Sequence, residues 1–159
     1  MIFAATTIGL TLSACSGGAA SGCSRVVRHD VADDSQLHVI PTADVVYATD
    51  PPTSGPHSPG PLPGIYVRTL SRPAQVGVLE RGDIVIQFRP DVVSGTSLGA
   101  LVTDRVVLMP NPDLGHDIVL TAWAHRMECN ADSLDADDLD PFADFISSRT
   151  DQGPTPHTG

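Results

Sequence analysis

Residues 50 to 61 read DPPTSGPHSPGP, five prolines and two glycines in twelve positions, and Pro63 follows. Proline supplies no backbone N–H and fixes φ, and it also restricts the residue before it. No interior strand or regular helix can run through this stretch. Whatever the chain builds must be made on either side of it, and the stretch itself reads as an extended or turned surface loop. Ser54-Gly55 offers a turn in which glycine takes a positive φ. His57 stands in the middle of this stiff segment.

The chain has 159 residues, enough for one domain. Short β-prone runs at 39–40 and 45–47 precede the proline segment, and 64–68 follows it as a short strand. Residues 82–90 (GDIVIQFRP) read as the strongest strand: Ile84, Ile86 and Phe88 share one face while Val85 keeps the other apolar, the pattern of a central strand. Leu98, Leu101 and Val102 predict a brief helix over 96–103, weakened by Gly99. Residues 105–109 and 117–124 are two further strands, expected to be antiparallel neighbours, with 83–88 and 105–109 parallel. Asp140-Pro141 reads as a helix start, and Phe142, Phe145 and Ile146 give that helix one apolar stripe. The expected fold is α/β: a single small domain with a mixed β-sheet, short helices packed mainly on one face, and the proline-rich surface loop.

The N-terminus carries its own information. Ile2 to Leu12 is an apolar run too short to span a bilayer as a mature helix but of the length of a signal h-region. The following Leu12-Ser13-Ala14-Cys15 is similar to the lipobox of bacterial lipoproteins, in which the cysteine sulfur is acylated. No Lys or Arg lies between Met1 and Cys15. The expected organisation is a signal peptide at 1–14, a Gly/Ala/Ser tether at 15–24, an α/β domain at 25–150 and a polar tail at 151–159. The membrane is then the partner, reached through a lipid on Cys15, and the protein is extracytoplasmic. Acyl chains supply the affinity, about 0.8 kcal/mol per buried methylene. Nucleic acid is not an expected partner, because a net charge of -10 leaves nothing to neutralise phosphates.

The sequence holds three cysteines, Cys15, Cys23 and Cys129. With Cys15 lipidated, two remain, and an oxidising compartment would join them. A Cys23–Cys129 disulfide would pin the tether onto the core.

Several segments together point further: HVIP (38–41), YATDPPTSGPH (47–57), PGIY (63–66), GDIVIQFRPD (82–91), VVLMPNPDL (106–114), LTAWAHRMEC (120–129) and FADFI (142–146). Over about residues 23–150 the chain resembles the bacterial family known as domain of unknown function 3105. The resemblance implies an exported protein, anchored by one helix or by lipid, with cysteines at the positions of Cys23 and Cys129. It also implies recurrent histidines. His38 and His57 match two of them; where the family tends to have VHSLEHG this chain has VGVLERG (76–82), with Gly77 and Arg81 in place of histidines and Glu80 retained.

Three functional readings follow. A metal centre of His38, His57 and Glu80 would suit zinc or another transition metal, since imidazole and carboxylate both serve such ions; against it stands Arg81, a cation that could pair with Glu80. In a structural role, His57 would donate to a backbone carbonyl and fasten its loop. A hydrolase would set Ser54 against His57 with Asp50, Glu80 or Asp83 behind, yet no GxSxG elbow is present. His116, His125 and His157 read as incidental and Trp123 as core. The sequence favours a lipid-anchored extracytoplasmic protein with a non-catalytic binding or structural role.

Overall fold

The computed structural model describes residues 22–134 and 139–155. Cys15 and the signal-like segment lie outside them, as does His157. The chain forms one six-stranded mixed sheet: β1 (Val27–Arg28), β2 (Gly64–Ile65), β3 (Ile84–Phe88), β4 (Val106–Pro110), β5 (Ile118–Ala122) and β6 (His125–Cys129), in the order β1-β6-β5-β3-β4-β2. Two helices, α1 (Arg72–Glu80) and α2 (Asp140–Arg149), complete the α/β domain.

β3 is the central strand that its two-sided hydrophobicity demands, and all five of its residues are buried. It pairs in parallel with β4, Ile86 opposite Leu108, and antiparallel with β5, Ile86 opposite Leu120. β4 and β5 are therefore not neighbours, contrary to the expectation of an antiparallel pair at 105–109 and 117–124. Residues 111–117 cross the end of β3 instead. The Asn111 N–H donates to the Phe88 carbonyl at 2.8 Å and the Arg89 N–H to the Asp117 carbonyl at 2.9 Å. Both edges of a greasy central strand need partners, and this connection is long enough to step over one strand.

The helices lie on opposite faces, which corrects the expectation of one covered face. Ile84, Ile86, Leu108, Ile118 and Leu120 pack with Phe142 and Phe145 of α2. Val85, Val107 and Met109 pack on the other side with Val76, Val78 and Leu79 of α1. Crossover handedness accounts for α1 lying opposite the β3–β4 connection, whose face α2 shares. The connection from β2 through α1 to β3 steps inward across the sheet, and that from β3 to β4 steps back. Two right-handed crossovers in opposite directions must run over opposite faces. On the second connection the helix expected at 96–103 shrinks to a 3-10 turn at Gly99–Leu101, with Leu98 and Leu101 buried.

Besides the two-residue β1, two longer elements escaped the sequence reading. α1 is buried over Pro73–Leu79, so it lacks the polar face whose alternation marks a helix; Ser71 followed by Pro73 was its only start signal. β6 was not anticipated, because the strand expected over 117–124 was the last one read from the sequence. The turn between β5 and β6 is Trp123-Ala124, with no Gly, Asn or Asp to announce it, and Ala124 itself takes φ 59°. The disulfide between Cys23 and Cys129 is formed and ties the N-terminal segment to the end of β6.

The proline segment is the largest departure. Pro51 to Ser58 are buried, so this part is not a surface loop, while residues 59–63 lie at the surface as expected. Buried loops are rare because they strand backbone polar groups. Here three of the eight residues are prolines with no N–H to strand, and the carbonyls find donors elsewhere. Thr53 O accepts from Ala124 N–H (2.9 Å), Pro56 O from the Tyr47 hydroxyl (2.6 Å) and His57 O from Val39 N–H (2.8 Å). The segment is an irregular wedge between residues 30–47, α1 and the β5–β6 turn.

Candidate metal centre

The wedge delivers His57 to the end of α1. Its backbone is bound in both directions to the preceding segment: His57 N–H donates to Leu37 O at 3.0 Å, and Val39 N–H to His57 O. This is a one-residue parallel bridge between His38 and His57. Residues paired in this way present side chains on the same side. The two imidazoles accordingly meet edge to face with centroids 4.7 Å apart. His57 is 2% exposed, whereas His38 is exposed.

His57 Nδ1 lies 3.3 Å from the Gly55 carbonyl, which can only accept, so the proton belongs on Nδ1. Nε2 then carries a lone pair. It sits 3.0 Å from Glu80 Oε2, yet it is buried without a hydrogen-bond partner. At that distance the missing bond is one of direction: the carboxylate oxygen lies off the axis along which an Nε2–H would point. Two acceptors facing each other at 3.0 Å repel; a second proton on the imidazole, which makes an ion pair, or a metal ion bound by both relieves that repulsion. With an ion about 2.1 Å along the Nε2 axis, a ligand oxygen about 2.1 Å from the same ion falls off that axis, roughly 3.4 Å from the nitrogen in a tetrahedral shell and about 3 Å at a right angle. The observed 3.0 Å corresponds to the right-angled arrangement.

Glu80 closes α1, and its side chain is 18% exposed. A helix C-terminus carries partial negative charge, so a carboxylate there is unfavourable by a few tenths to 1 kcal/mol unless a cation is near. One ligand atom each from His38, His57 and Glu80 lie within 4.8 Å of one another. Two ligands of one tetrahedral ion stand about 3.4 Å apart, so closing the set takes a movement of roughly 1.4 Å, which falls to exposed His38. No other such group occurs among the described residues. Imidazole and carboxylate are donor types that transition-metal ions take, and the His38 side of the group is exposed.

Arg81 does not compete. Its guanidinium donates to Gly60 O (2.8 Å) and Pro61 O (2.6 Å) and pairs with Asp83 at 3.0 Å. Asp83 is fully buried and also bound by Arg105 Nε at 2.7 Å. The charge that seemed set against Glu80 instead holds the wedge to the helix. Gly77 has a comparable role. A Cβ on it would lie 2.7 Å from Gly60 N and closer still to Ser58 O, so the wedge rests directly on the α1 backbone where a histidine would keep it away.

The hydrolase arrangement is not assembled. The Ser54 hydroxyl accepts from Ala32 N–H at 3.1 Å and faces Asp30 O at 3.5 Å, while both nitrogens of His57 face Gly55 and Glu80. Asp50 pairs with Arg72 and Asp83 with Arg81 and Arg105. His116 stands 3.0 Å from Glu128, and His125 Nδ1 is 2.8 Å from Trp123 O, its pKa pushed down by burial. Neither approaches the centre's three ligands as a fourth. Trp123 packs with Val85, Val107 and Met109 as core.

No curated protein and no solved structure matches the chain. The family model described as "Protein of unknown function (DUF3105)" matches residues 38–159, and this protein belongs to that family.

Proposed function

We propose that this chain is a lipid-anchored extracytoplasmic domain that binds a divalent transition-metal ion through His57 Nε2, Glu80 and His38. One observation carries the metal reading: the buried Nε2 that faces a carboxylate oxygen at 3.0 Å with no hydrogen bond between them. Imidazole and carboxylate donors suit zinc, copper, iron or nickel. Anchoring is supported by the Leu-Ser-Ala-Cys tetrad ending at Cys15. Export is supported by the Cys23–Cys129 disulfide, a bond that persists in oxidising compartments.

The ion would bridge the proline wedge to α1, two parts of the chain otherwise joined here by backbone contacts and Arg81. Binding would thus stabilise the fold, by about 2.7 kcal/mol at a hundredfold excess over the dissociation constant. The test is elemental analysis of protein purified from the membrane fraction, with mass spectrometry of its N-terminal peptide and a urea titration with and without Zn²⁺. We expect a stoichiometric metal and a Zn²⁺-dependent rise in the urea midpoint that His57→Ala and Glu80→Ala abolish. A diacylglyceryl adduct on Cys15 is expected, and Cys15→Ser should move the protein to the soluble fraction. Metal-free protein with a midpoint indifferent to Zn²⁺, Cu²⁺, Ni²⁺ and Fe²⁺ would sink the metal reading. An unmodified Cys15 would sink the anchor.

A further inference from the structure

The β-prone run Val45-Val46-Tyr47 expected from the sequence belongs to no strand. Its exposure nevertheless alternates with period two. Ala43, Val45 and Tyr47 are half-buried, while Asp44 and Val46 are exposed, Val46 almost completely at 96%. That is the pattern of a strand lying with one face on the domain. What the run lacks is a neighbour: the backbone N–H and C=O groups of Asp44 to Tyr47 have no hydrogen-bond partner among the described residues. Side chains fasten it instead. The Tyr47 hydroxyl donates to Pro56 O at 2.6 Å, and its ring packs against the core cluster on the α1 face.

An unpaired strand edge is a template for an added strand. Edges are commonly blunted by Lys or Pro, and residues 43–47 contain neither. Beside the run lies an open cleft of about 270 Å³ whose apolar lining is Pro41, Ala43, Val45, Tyr47 and Pro73. Arg72, which also lines it, is already paired with Asp50 at 2.7 Å. The cleft falls short of the roughly 300–1,000 Å³ of a small-molecule pocket and suits a side chain of a docked segment. The surrounding charge has one sign. Residues 30–50 carry Asp30, Asp33, Asp34, Asp44 and Asp50 and no Lys or Arg. A second copy of the chain would bring the same carboxylates and a net charge of -10 to the edge. Like charges oppose that pairing, whereas a basic segment is drawn to it.

We propose that residues 43–47 are the docking edge for an extended, basic segment of a partner protein, which adds a strand to the run and seats one side chain in the cleft. Backbone hydrogen bonds to Asp44–Tyr47 supply the affinity, and the cleft and the aspartates supply the selectivity. The inference does not depend on the metal reading.

The test uses the full, disulfide-bonded chain as bait for random nonapeptides displayed on phage, with the selected peptides synthesised and titrated by fluorescence anisotropy. We expect a consensus rich in Lys, Arg and β-branched residues, an affinity that falls with added NaCl, and amide hydrogen exchange at 44–47 slowed by the peptide. Val46→Pro deletes one N–H at an exposed position, and Asp44→Lys reverses one charge. Each should weaken binding at least about tenfold while the urea midpoint stays put. Should Val46→Pro lower the midpoint, Asp44→Lys and the exchange pattern decide. A selection without binders, an acidic or purely apolar consensus, or protection confined to other residues would overturn the proposal. So would undiminished affinity in Asp44→Lys. Protection of 44–47 by raised protein concentration alone would overturn it too, by naming a second copy as the occupant.

Discussion

Gly77→Ala sets two sizeable effects against each other. In an ordinary helix interior the change is favourable by about 1 kcal/mol, because alanine loses less backbone entropy. At this position the new Cβ would meet Gly60 N at 2.7 Å and lie nearer still to Ser58 O. Restoring ordinary contact requires the wedge to lift by roughly an ångström. The lift disturbs the Ser58 N–H bond to Pro73 O at 3.1 Å and the Arg81 bond to Gly60 O at 2.8 Å. These are worth about 1 kcal/mol and about 1.5–3 kcal/mol, and overpacking adds about 1–3 kcal/mol. Some relaxation returns part of this, so the net expectation is a loss of about 2–4 kcal/mol, read as a lower urea midpoint at unchanged slope. Because His57 rides on the same wedge, and metal ligands tolerate only about 0.2 Å of displacement, Zn²⁺ affinity should fall more than tenfold. Gly99→Ala is the control. Its Cβ meets nothing within 4 Å, so that substitution should be neutral or slightly stabilising. If Gly77→Ala gains stability as an unencumbered helix position would, the close approach of wedge and helix is wrong, and so is the placement of His57.

Other outcomes follow from the same structure. Replacing Cys129 or Cys23 by serine opens a link across 106 residues and should cost about 2–5 kcal/mol, with dithiothreitol reproducing the loss in the wild type. Gln87→Leu breaks a buried amide chain in which Gln87 donates to Gln75 Oε1 at 3.0 Å and accepts from Asn111 at 2.8 Å. The groups left unpaired should cost about 1–3 kcal/mol by urea denaturation. Tyr47 has its pKa pushed up to about 12, chiefly by burial. The folded protein therefore holds a proton that the unfolded chain releases near 10, and this contribution to stability is lost as pH rises from about 10 to about 12. Tyr47→Phe should flatten the stability profile in that window, and an unchanged profile would refute the assignment.

How much of this was legible in the sequence depends on what each residue had to announce. β3 was plain, because apolar residues on both faces leave few options besides a central strand. The disulfide was plain once one cysteine was set aside for lipid. α1 was hidden by the opposite circumstance: a helix buried over seven consecutive residues shows no polar face. The pairing of β4 and β5 could not be read because hydrophobicity marks what is buried but not which edge of β3 each strand takes.

The proline wedge shows the deepest limit. Its composition correctly excluded regular structure, and the step from irregular to exposed was the error. That step assumes that backbone N–H groups would be left unsatisfied, and proline removes the assumption along with the N–H. Once the wedge is inside, its carbonyls need donors, and Arg81 is one of them. The residue that looked like an objection to a metal at Glu80 instead helps hold His57's segment against α1, since its guanidinium is engaged with Gly60, Pro61 and Asp83. Sequence proximity assigned Arg81 to its neighbour. The half-buried carbonyls of Gly60 and Pro61 and the buried carboxylate of Asp83 hold it instead.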